Sequence, residues 1–297
     1  MSEWSGWIVA IVINKYLLYL SIAASVGSVF MLTQTQIGSL SAFSRRYGVY
    51  ASLLGLILAP VDLLLQVGLF ADAGVAGLVD SSYIAMLWDS PLGQQLVWRA
   101  LGFLVLLVVF SWVWGQQKAL HWRQGLFALP ALFLLCLACL QAGHTVEQVS
   151  WVHWVLAVHF LLGLGWIGCL WPLALSCRQL DVLGLQQLMQ QFGRLASFCV
   201  PILLIAGVAL AYALTGSFSG LFTSTHGQLL LAKVTLVAGL MGFSAYHKLK
   251  LVPELTESHK PQRLGRSIYR EMGLGLVVLG LTAVLSTVVG PAVLINQ

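Results

Sequence analysis

Of the fifteen lysines and arginines in the chain, twelve fall in four connections between apolar stretches, near 34–46, 115–124, 176–194 and 247–270. They are Arg45 and Arg46, then Lys118 and Arg123, then Arg178 and Arg194. The last connection holds Lys248, Lys250, Lys260, Arg263, Arg266 and Arg270. The alternate connections, near 71–93, 143–150 and 215–227, carry none, and neither do the two ends of the chain. They hold Glu3, Asp72, Asp80, Asp89 and Glu147 instead. Membrane insertion sorts charge in this way, leaving cations on the cytoplasmic side. Eight apolar segments lie between these connections, roughly 7–33, 47–70, 94–114, 125–142, 151–175, 195–214, 228–248 and 269–290. Each is long enough to span a bilayer with some tilt. The pattern predicts an all-α polytopic membrane protein with eight transmembrane helices and both termini outside.

Composition agrees. The chain is 59% hydrophobic and 8% charged, whereas soluble domains run near 25% charged. The basic balance is therefore a matter of topology, and nucleic acid is not an expected partner. The first apolar run has no Lys or Arg ahead of it, so it reads as a retained helix and not a cleavable signal. All five cysteines lie within or at the ends of apolar stretches, which implies no disulfide framework. No P-loop, nucleophile elbow or zincin helix is present, so neither ATP-driven transport nor enzymatic catalysis is expected.

Weak internal matches divide the chain at about residue 146. Tyr47-Gly48-Val49-Tyr50-Ala51-Ser52 recurs as Phe192-Gly193-Arg194-Leu195-Ala196-Ser197. Gly93-Gln94, with Arg99 behind it, recurs as Gly227-Gln228 with Lys233; Lys15-Tyr16-Leu17-Leu18 recurs as His159-Phe160-Leu161-Leu162. Four helices return the chain to its starting side. The expected architecture is a parallel 4+4 repeat, 1–146 and 147–297, as in parallel-repeat transporters.

Polar residues inside the apolar segments concentrate toward the outer face. Lys15, Asp62, Arg99, His144, His153, His159, His226 and Lys233 all belong to that half. Ionisable groups in a membrane segment face helices or hydrated cavities and mark functional paths. Lys15 can also snorkel to the headgroups, and Asp62 can form an ion pair with one of the cations. His159, Gly163 and Trp166 fall on one helix face. His153 lies six residues before His159, so the two project about 120° apart on one helix. His226, Lys233 and His247 are spaced by multiples of seven, with Leu240 between, as either an ion-lined path or an interhelical seam. Cys136, Cys139 and His144 have the spacing C-x2-C-x4-H, which offers Cu(I)-compatible ligands or ordinary small packing residues.

The string from His159-Phe160-Leu161-Leu162 through Trp166-Ile167-Gly168-Cys169-Leu170 resembles the copper resistance D (CopD/PcoD) family. So do His226-Gly227-Gln228-Leu229-Leu230 with Lys233, Ser244-Ala245-Tyr246-His247-Lys248, Leu251-Val252-Pro253-Glu254, and Arg270-Glu271. The resemblance implies a bacterial inner-membrane protein with periplasmic termini that moves copper between periplasm and cytoplasm, as an importer beside a small periplasmic copper carrier. It carries over His159, Trp166, His226 and Lys233. The expected metal site is His159 with His153 or His226, with His144, Cys136 and Cys139 in reserve. The remaining polar positions, Lys15, Asp62, Arg99, Lys233, Trp166 and His247, form the path or its gate. Cations beside a copper site repel it, which raises a rival reading. That rival is a haem b-binding cytochrome of the b561-like bundle type, with histidines on iron and cations on the propionates.

Overall fold

The computed structural model describes residues 6–34, 38–116, 125–141, 150–215, 225–255 and 260–288. Among them the protein is entirely helical: α1 Gly6–Gln34, α2 Gly38–Ala71, α3 Ser81–Trp88, α4 Pro91–Gln116, α5 Leu129–Leu140, α6 Ser150–Gln179, α7 Val182–Thr215, α8 Thr225–Tyr246 and α9 Lys260–Val288. Seven of these, α1, α2, α4, α6, α7, α8 and α9, are long and apolar enough to cross a membrane. The eighth expected span is a shorter apolar helix, Leu126–Leu140, whose first turn is 3₁₀ and whose remainder is α5. Its twelve α-helical residues fall short of the ~20 a straight span needs.

Helices α1 and α6 form the centre. From Leu18 to Leu32 nearly every residue of α1 is buried, including Ser21, Ser25 and Ser28. A helix apolar on all sides is a buried helix. Its small residues let neighbours approach closely, as membrane helices do in the absence of a hydrophobic drive between them. The approach is closest at α6, where a Cβ on Gly168 would run into the Ala23 carbonyl and one on Gly27 would meet the Gly168 backbone. Around this pair, α2 packs on α1, α4 on α2 and α5 on α4. On the other side α7 and α9 pack on α6, and α8 on α9. Helices α7 and α8 barely touch.

The acidic connection between α2 and α4 is itself folded. Asp80 caps α3, its carboxylate accepting from Ser82 N at 2.9 Å and Tyr83 N at 3.2 Å. Such a cap satisfies amides that the first turn leaves unpaired. Leu87 then seats α3 against Leu63 and Val67 of α2. Asp80 of this acidic connection thus also serves the local fold.

Candidate functional site

Polar side chains gather at two depths. Near the end where α1 begins, Asp62 of α2 is buried and accepts from Arg99 of α4 at 2.8 Å. Asn14 of α1 donates to the Leu58 carbonyl at 3.3 Å and reaches Asp62 at 3.5 Å. Lys15 Nζ donates to the Ser286 carbonyl of α9 at 3.2 Å, and Tyr19 shares a 3.1 Å hydrogen bond with Ser286 Oγ. Of the cations expected in this half, Arg99 is thus paired with a carboxylate that offsets its charge, whereas Lys15 is held by a neutral backbone oxygen.

His159 turns from α6 toward α7. Its Nδ1 lies 3.0 Å from the Leu203 carbonyl. A carbonyl only accepts, so Nδ1 carries the proton and Nε2 holds the lone pair; this is how metal-binding imidazoles are oriented. Gly207, one turn beyond Leu203, makes room, since a Cβ there would stand 3.1 Å from the ring. Gly163 looks the same way, toward Leu203. The half-buried Lys233 of α8 bears electrostatically on His159. His153 is also half-buried, and no described contact joins it to His159. His144 lies outside the described residues, and at His226 only the backbone is described. Cys136 and Cys139 are partly buried free thiols on α5. Among the described residues no three His, Cys, Asp or Glu side chains come together as a metal site.

The second depth is richer. Trp166 Nε1 donates to Glu271 Oε1 at 3.1 Å and Ser244 Oγ donates to the same oxygen at 3.0 Å. His247 Nδ1 lies 3.3 Å from Glu271 Oε2, and its Nε2 is 2.7 Å from Ser267 Oγ. Helices α6, α8 and α9 thus converge on one carboxylate that is 1% exposed. Glu271 and Asp62 are the two carboxylates within the candidate spans. His247 begins a π-turn, His247–Leu251; such widened turns recur at functional sites.

Because α7 and α8 stand apart, a cavity of about 940 Å³ opens between them. Trp166, Ser244, His247 and Glu271 form its polar wall, Leu170, Met189 and Val200 part of its apolar wall, and Arg194 and Lys248 lie at its rim. Lys248 Nζ reaches across to Ser197 Oγ at 2.7 Å.

Sequence reasoning singled out Trp166 and His247 but read Glu271 only as part of a motif, and did not single out Ser267 or Gly207. An acid inside an apolar span needs partners, which was the available signal for Glu271. Among the described histidines, His247 has both ring nitrogens engaged, and no described contact joins His153 to His159.

The family model of copper resistance protein D (CopD) matches residues 186–285. Neither curated proteins nor solved structures give a match. The matched stretch, about a third of the chain, takes in most of α7, all of α8 and most of α9. It includes Lys233, Ser244, His247, Ser267 and Glu271 and stops short of His159 and Trp166. The chain is thus a polytopic membrane protein related, through the segment that builds most of the cavity wall, to the copper resistance protein D family.

Proposed function

We propose that this protein carries copper across the bacterial inner membrane, between periplasm and cytoplasm, with the ion passing through the second half of the molecule. The observation that carries this reading is the coincidence of the CopD-like segment with the cavity and its buried Glu271. In this reading His159 offers Nε2 to copper in the outer half, with His153 or His226 completing the site. Lys233 gates the way inward. The cavity at the basic end, cytoplasmic by the positive-inside rule, receives the ion. A small periplasmic carrier would present copper at the outer end.

The same proposal takes the chain as two parallel four-helix halves with periplasmic termini, in which the short helix α5 counts as the eighth. Two interhelical bonds support it. Asn14 to the Leu58 carbonyl and His159 to the Leu203 carbonyl are related by one shift of 145 residues in both partners. Ala23 and Gly168, which meet at the central crossing, are separated by that same shift. A residue touching its own counterpart lies on the axis relating the halves. By this register the counterpart of His159 is Asn14, one residue before the Lys15 expected from the sequence match.

The test is copper uptake into proteoliposomes. His159→Ala should lower flux by more than about tenfold, with Cys136→Ala near wild type. Full flux in His159→Ala with loss in Cys136→Ala or Cys139→Ala would move the site to the thiols.

A further inference from the structure

We propose that His247 is a proton-binding group that switches the cavity wall between singly negative and neutral, so that a monovalent cation leaving through the cavity is exchanged for a proton. The cation half of this statement rests on the copper reading above; the proton half stands on geometry alone.

Glu271 Oε1 takes its two hydrogen bonds from an indole N–H and a serine hydroxyl. Both are neutral donors, so neither supplies charge to the site. Oε2 faces His247 at 3.3 Å. The other charged groups near the cavity are peripheral. From α7 comes the exposed Arg194; beyond the end of α8 come Lys248, held by Ser197, and Lys250, over the Tyr246 ring. Helix α6 contributes no charged residue to the cavity wall. On α9 itself Arg270 is exposed, and Arg263 donates to Tyr246. On α1 the only cation, Lys15, is bonded at the opposite end. The local charge is therefore set by whether His247 holds one proton or two.

The arrangement accepts both states. With a neutral ring protonated on Nδ1, Nε2 accepts from the Ser267 hydroxyl; with the imidazolium, Nε2–H donates to the same oxygen. Only the hydroxyl hydrogen must rotate. Both Glu271 and His247 line a cavity roomy enough for water, so protons have a route. Ring neutral, the wall carries one negative charge and holds a cation by electrostatics. When a proton from water adds to Nε2 the wall becomes neutral, and one cation leaves as one proton arrives.

Infrared difference spectra of the full chain in proteoliposomes, between about pH 8 and pH 5, report ring protonation directly. Wild type should show an imidazolium component that is absent in His247→Gln, shifted to lower pH in Glu271→Gln, and retained but displaced in Ser267→Ala. Identical spectra for wild type and His247→Gln overturn the proposal, as does an unmoved component in Glu271→Gln. Cuprous ion, delivered from a weak chelator at the midpoint of that component, should erase it and release about half a proton per ion bound, because about half of the rings carry the proton there. Binding that leaves the component intact overturns the exchange. No binding at all overturns the copper reading, while the histidine component still supports the proton site.

Discussion

Among the described residues two carboxylates are buried, Asp62 and Glu271, and they are partnered in opposite ways. Asp62 faces Arg99, a cation that never gives up its proton, at 2.8 Å between two helices that pack along each other. Glu271 of α9 faces an indole from α6 and a hydroxyl and an imidazole from α8 and the turn that follows it, beside the cavity that opens between α7 and α8. The first pair is closed and of fixed charge, a strut tying α2 to α4. The second is reached from a cavity, and its partners include an imidazole, a group that exists in neutral and charged forms. Glu271 lines the cavity between α7 and α8, and Asp62 does not.

The largest effect separates the two acids directly. Asp62→Leu leaves Arg99 buried without its partner and should cost about 3–5 kcal/mol. Asp62→Leu with Arg99→Leu should recover most of that, since removing both charges removes the unpaired one. Glu271→Gln keeps an acceptor for Trp166 and Ser244 and should stay within about 1 kcal/mol of wild type. Denaturant unfolding of the purified protein in detergent makes the comparison. Equal losses at the two sites would mean that Glu271 is also a strut.

Next in size is the central crossing on which both halves depend. Gly168→Val places a side chain against the Ala23 carbonyl and should cost roughly 1–3 kcal/mol, as overpacking does. Gly163→Ala, whose new Cβ would stand 3.7 Å from Leu203 Cδ1, should be nearly silent. The same unfolding measurement decides. A silent Gly168→Val would show that α1 and α6 separate more easily than their contact distance allows.

Much of this frame was legible in the sequence because hydropathy and loop charge are local. They give the helical class and seven spans outright. They misjudge where helices begin: Arg45 and Arg46 lie inside α2, and α7 and α9 start about a dozen and nine residues earlier than their apolar segments. A helix continues into water as long as its backbone bonds hold, and hydropathy registers only the part in lipid. The fourth segment, with flanking residues counted in, looked longer than its helix. At the site, His159 and Gly163 both face Leu203 of α7, while Trp166 bonds Glu271 of α9. What local pattern cannot supply is the partner. Trp166 meets an acid 105 residues away, and the Leu203 carbonyl that orients His159 carries no side-chain signal at all. Asn14 was passed over because an amide lacks charge, although an amide within a span also needs partners.

The smallest effect is the sharpest version of the comparison, because it uses one residue type at one repeat position. Ser52 and Ser197 are counterparts by the sequence match and by the 145-residue shift. Ser52 is fully buried and shares a 3.0 Å hydrogen bond with Ser25 of the central helix. Ser197 is exposed and receives Lys248 from across the cavity rim at 2.7 Å. Ser52→Ala leaves a buried hydroxyl without its partner and should cost about 1 kcal/mol. Ser197→Ala removes a solvent-exposed contact and should change stability by no more than a few tenths, about 0.5 kcal/mol at most. Its effect belongs to spacing instead, because Lys248 to Ser197 is a direct link between helices that otherwise barely touch. Spin labels at Phe198→Cys and Leu249→Cys, in a background without the native thiols, should show a broader and longer distance distribution when Ser197 is alanine. Labels spanning α2 and α4 should report no such change for Ser52→Ala. If Ser197→Ala destabilises as much as Ser52→Ala and leaves the distances alone, the second half is sealed like the first, and the cavity is packing space and not a passage.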